Sequence, residues 1–122
     1  MKQIRRFVFA VILTAASVPS TVMAVEISEG YLEGAWCFTH TMSGKEKSEE
    51  MRSYIFEKGG KYSHQTSRTS SRMKEGFSYQ ILPGKLKLKP EFPGELNVKS
   101  ASEDHLVLNY FVDFYFTRGA CR

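Results

Sequence analysis

Short runs of alternating or apolar residues, each closed by a turn signal, constrain this chain more than any other feature. KLKLK (85–89) places Leu86 and Leu88 on one side and Lys85, Lys87 and Lys89 on the other, and a period of two is the signature of a half-buried strand. ELNVKS (95–100) repeats the pattern with Leu96 and Val98 inward. AWCFTH (35–40), RSYIF (52–56), KYSHQTS (61–67) and FSYQIL (77–82) read as further strands. EKGG (57–60) and Pro83-Gly84 supply the turn residues between neighbours. HLVLNYFVDFYFTR (105–118) is one bent strand or two strands folded near Asn109 or Asp113. EISEGYLEG (26–34) allows one helical turn, because its glycines oppose anything longer. SGKEKSEE (43–50) and TSSRMKEG (69–76) read as a charged loop and a polar stretch without a defined element. About eight strands at this spacing predict an all-β fold, a small antiparallel barrel or sandwich. A closed barrel is the form that leaves no exposed edge.

The first 24 residues stand apart from that pattern. Lys2, Arg5 and Arg6 precede an apolar stretch, Phe7–Ala16, too short to span a bilayer, and Val22-Met23-Ala24 is a small-residue cleavage signal. Residues 1–24 are therefore expected to be a secretory leader and 25–122 a single domain, periplasmic and without membrane insertion once the leader is removed. Charge follows from that division. The whole chain carries 17 Lys+Arg against 13 Asp+Glu; three basic residues lie in the leader, so the remainder holds 14 against 13, a net charge of +1. A near-neutral domain offers no general electrostatic case for nucleic acid. The lysine stripe of 85–89 has no interleaved aromatics for base stacking and reads as a solvated strand face.

Cys37 and Cys121 are the only cysteines. In an oxidising compartment a disulfide is the default, tying the start of the domain to its end. Free thiols or a redox pair are the alternatives, and a redox pair usually takes C-x-x-C spacing. Closing so long a loop is worth about 4–5 kcal/mol by chain-entropy reasoning.

Catalytic chemistry finds no pattern. His40, His64 and His105 share no metal-ligand spacing, no G-x-S-x-G elbow is present, and the acid pairs Glu49-Glu50 and Glu103-Asp104 fall in expected loops. No enzyme activity, cofactor or metal is expected. Of the nine Phe, six Tyr and one Trp, all but Phe7 and Phe9 follow the leader; these could line a cavity for a small hydrophobic ligand, or fill a narrow barrel solidly.

The unusual stretch is KPEFPGE (89–95). Pro90 and Pro93 restrict the backbone on both sides of Phe92, and Gly94 permits a sharp return. Two readings are open. Phe92 could be a stiff interface anchor, with Glu91, Pro93 and Glu95 as its rim. Equally, it could fold back and plug one end of the barrel.

Gly34-x-Trp36, YIFEKGGKY (54–62) and FTR (116–118) together resemble small exported lipocalin-like barrels. The resemblance implies that Trp36 closes the barrel bottom and Arg118, from the last strand, packs across it. In format (exported, small, one disulfide, no catalytic set) the chain is similar to periplasmic lysozyme inhibitors and to type VI secretion immunity proteins against muramidase effectors. That likeness implies a non-enzymatic inhibitor that binds a peptidoglycan hydrolase and inserts loops into its active-site cleft. A lipocalin-like carrier of a small hydrophobic molecule is the alternative. A homodimer through an exposed strand edge is a further association the chain could form.

Overall fold

The computed structural model describes residues 25–67, 69–70 and 72–122; the expected leader, 1–24, lies outside the described residues. A one-turn helix α1 (Glu29–Leu32) leads into strands β1 (Gly34–Ser43), β2 (Glu46–Glu57), β3 (Lys61–Gln65) and β4 (Met73–Leu82). Strands β5 (Lys85–Lys89), β6 (Glu95–Ala101), β7 (His105–Tyr110) and β8 (Val112–Arg118) complete the barrel. Each strand pairs antiparallel with its sequence neighbours, and β1 pairs with β8, so the sheet closes into an eight-stranded up-and-down barrel, as a lipocalin-like fold requires. Cys37 and Cys121 form the disulfide across 84 positions, beside the β1–β8 seam.

Consecutive antiparallel strands sort the connections by end. The β2–β3, β4–β5 and β6–β7 turns lie at the end that also holds α1 and the C-terminus, here the lower end. The β1–β2, β3–β4, β5–β6 and β7–β8 connections form the upper rim. Between them, Trp36, Phe38, Tyr54, Phe56, Leu86, Leu88, Leu96, Leu106 and Leu108 are each at most 2% exposed. Inward residues of an eight-stranded barrel fill its interior, and these leave the axis occupied by side chains.

Two local expectations change and a third is narrowed. SGKEKSEE is not a loop: only Gly44 and Lys45 form the turn, and β2 begins at Glu46. β4 begins at Met73, inside the stretch read as undefined. Both segments carry polar residues on both faces, which erases the alternation, but pairing with β1 and β3 respectively holds one edge of each in a backbone ladder. The long C-terminal run is two strands, folded at Phe111, between the two positions expected.

Candidate functional site

The lower end is sealed from the inside. Ser28 caps α1 by accepting a hydrogen bond from the Tyr31 amide at 3.1 Å. Leu32 is fully buried, and its carbonyl accepts from Trp36 Nε1 at 2.8 Å. The Arg118 guanidinium lies 4.0 Å over the Trp36 ring and 5.0 Å from that of Tyr31, and it donates to the Tyr31 carbonyl at 2.8 Å. Such a cation–π contact is worth about 0.5–2 kcal/mol. Glu29 accepts from the Gly59 amide at 2.5 Å, and Tyr31 Oη donates to the Ser102 carbonyl at 2.7 Å, so α1 is tied to two turns of the same end.

The upper rim is built differently. Its centre is a carboxylate brought in by the β5–β6 loop. Glu91 accepts from Tyr54 Oη at 2.5 Å and from Tyr62 Oη at 2.8 Å. His64 Nε2 lies 3.8 Å from the same carboxylate. Its Nδ1 faces the Gln65 carbonyl at 2.6 Å and must donate there, since a carbonyl only accepts. The Nε2 atom is buried and has no hydrogen-bond partner among the described residues. Burial, then the negative charge of Glu91 and its hydrogen bonds, push both the Tyr54 and Tyr62 phenols far above the usual tyrosine range. Next to this cluster, Arg52 pairs with Glu50 at 3.2 Å and lies 5.2 Å over the Phe38 ring.

These positions correct part of the docking-loop reading. Glu91 is not a rim residue, because two buried phenols need an acceptor and draw its carboxylate inward. Phe92 does not project. Its ring is half-buried against Tyr110 at 5.3 Å and Phe114 at 5.4 Å, which is the plug alternative. Pro93 and Glu95 remain toward solvent, and Glu95 lies 3.9 Å from Lys85. Gly94 is needed for a close approach: a Cβ there would sit 3.1 Å from Tyr110 Cε1.

The aromatic at the tip is Phe111. It stands alone between the paired residues Tyr110 and Val112, at φ 68° and 92% exposed. Asn, Asp or Gly ordinarily occupy such a left-handed position, and a bulky residue there is an outlier. Below it runs a continuous aromatic row: Phe111 to Tyr110 at 4.9 Å, Tyr110 to Phe92, Phe92 to Phe114, and Phe114 to Phe38 at 5.6 Å. The hairpin root is braced as well. Asp113 accepts from Lys99 Nζ at 2.6 Å and from Asn109 Nδ2 at 2.8 Å. Those two bonds, Lys99 first, hold its carboxyl below the usual range. Sequence reading missed Phe111 because it fell inside a continuous apolar run with no Gly or Pro to mark a turn.

Among the described residues no group of three or more His, Cys, Asp and Glu is arranged to hold a metal. Comparison with known proteins returns nothing: no family profile, curated protein or solved structure matches the chain at a significant level.

Proposed function

We propose that this is an exported, non-enzymatic binding protein that blocks another protein by docking its upper rim. A cell-wall hydrolase of the muramidase kind is the target class. The observation that carries the reading is Phe111: a bare ring, held in a conformation that costs about 1–3 kcal/mol, on a hairpin braced by ion pair and aromatic row. Strain retained at an exposed aromatic makes sense when the ring anchors a partner. The entry into the substrate cleft thus falls to Phe111, with Pro93 and Glu95 as neighbouring rim and Phe92 as its buttress. The occupied barrel axis disfavours the alternative, a carrier of a small hydrophobic molecule.

The test is wall-clearing activity of purified muramidases and other secreted hydrolases, titrated with this protein. A responsive enzyme is expected to be inhibited stoichiometrically. Phe111→Asn, which suits the left-handed backbone, is expected to weaken inhibition by about 30-fold or more, the scale of an interface hot spot. If no hydrolase responds, or the responsive one is inhibited equally by Phe111→Asn, the reading fails. Native mass spectrometry of the protein from its own cell would show a co-purifying lipid if the carrier reading is right.

A further inference from the structure

The barrel closes, yet one strand edge stays open above it. β2 runs from Glu46 to Glu57, but β3 pairs only with Tyr54–Glu57. Among the described residues, β2 positions 46–49 have a ladder partner on the β1 side alone, and Glu50, in the irregular step beside Met51, has one on neither side. The Ser53 amide, just below, is capped by Gln65 Oε1 at 2.7 Å, and Met51, at φ 59°, breaks the regular strand there. The open length is therefore Glu46–Glu50, and residues 46–49 are exposed.

Pair alternation says which backbone groups face outward. Ser43 and Glu46 flank the two-residue turn Gly44-Lys45 and form the hydrogen-bonded pair that closes it. Thr41–Ser48 is the next hydrogen-bonded pair, while Met42–Lys47 and His40–Glu49 are non-hydrogen-bonded. The N–H and C=O groups of Lys47 and Glu49 thus point to the open edge. They form a short template for an antiparallel strand.

We infer that the occupant is a second copy of this chain, paired about a two-fold axis through Ser48. Three symmetric registers use these backbone groups. An axis at Lys47 sets Lys47 against itself, and an axis at Glu49 sets Glu49 against itself. Only the axis at Ser48 places Lys47 opposite the partner's Glu49, twice by symmetry. Lys47 and Glu49 already lie 3.2 Å apart within one chain, so the dimer brings four charges into one alternating quartet. The same register sets Glu46 opposite the partner's Glu50, whose charge is offset by Arg52 at 3.2 Å. The axis at Ser48 is thus the one of the three that sets no charge against its own copy, whereas each neighbouring axis places Lys47 or Glu49 against itself at the centre of the contact. The contact is small and polar, so the dimer is weak and salt-sensitive.

Sedimentation of the purified protein at concentrations up to about 1 mM reads the association directly. A monomer–dimer equilibrium is expected. Glu49→Lys and Lys47→Glu, both on exposed side chains, should each raise the dimer Kd about tenfold or more, and the combined swap should restore it. Ser48→Cys reports geometry independently: the two Ser48 positions face each other as a close non-hydrogen-bonded pair, so oxidation of this variant should yield a covalent dimer. A protein that stays monomeric throughout overturns the proposal. So does a dimer indifferent to both charge reversals, or a Ser48→Cys variant that does not cross-link on oxidation.

Discussion

The two ends of the barrel solve the same problem with opposite materials. At the lower end, open backbone and ring edges are covered by a cation on an indole, a capped helical turn and a disulfide, all tied to the first and last strands. At the upper end the cover is one loop, hung by a single carboxylate from two phenols, beside a strained and exposed aromatic. The lower end holds the chain together. The upper end keeps rigid shape at the surface and accepts strain to do so. Under the proposed function, stability and recognition are separated along the barrel axis, and mutations at each end should move different observables.

The largest effect that would break this contrast is loss of the disulfide. Replacing Cys37 and Cys121 with Ala is expected to cost about 4–5 kcal/mol by thermal or denaturant unfolding. Whatever protein remains folded should still inhibit the hydrolase proposed as its target. Trp36→Ala follows at about 3–5 kcal/mol, through the cavity left between Leu32 and Arg118. A comparable loss of target binding at constant folded fraction would show that the lower end takes part in recognition.

Glu91→Leu comes next. It leaves two phenols without an acceptor, and about 1–3 kcal/mol is expected to be lost. Hydrogen exchange of the backbone amides in the 90–94 loop should rise while that of β1 and β8 does not. A uniform rise over the whole barrel would contradict the division of roles. Phe111→Asn is expected to leave stability unchanged or raise it by about 1 kcal/mol, since Asn tolerates the left-handed backbone at lower cost. A clear loss of stability would mean that the ring supports the fold rather than a partner.

The finest test is alkaline titration. Tyr54 and Tyr62 have phenols raised above the ordinary value of 10.0 by burial first and Glu91 second. A folded pKa above the unfolded one contributes stability that is complete below about pH 10 and declines as the pH rises further. Tyrosinate absorbance should therefore show these two ionising only with unfolding. Full ionisation of every tyrosine near pH 10 with the fold intact would remove the buried cluster from the account.

The barrel was legible in the sequence wherever one face of a strand met the core. KLKLK and ELNVKS declared their strands because Leu86, Leu88, Leu96 and Val98 all point inward. EKSEE was misread because it rises above the core, where no face is buried and no period arises. The disulfide followed from the pairing expected of two cysteines in an oxidising setting. The Glu91 cluster was not legible: Tyr54, Tyr62, His64 and Glu91 come from two strands and a loop, and only closure brings them together. KPEFPGE stands out in the sequence for two prolines around a phenylalanine, but rigidity around an aromatic does not say which way the ring turns. The exposed ring was instead Phe111, whose neighbours Tyr110 and Val112 looked like strand interior.

The seam between β1 and β8 also dictates an order of events. β1 can find β2 as soon as both exist, but its other edge waits for β8, the eighth strand in chain order. A nascent polypeptide emerging end first, from a ribosome or through a membrane, cannot complete this circle before all eight strands have been delivered. Until then its opening strand is a bare template in a crowded place, which makes the closing segment the natural timer of assembly.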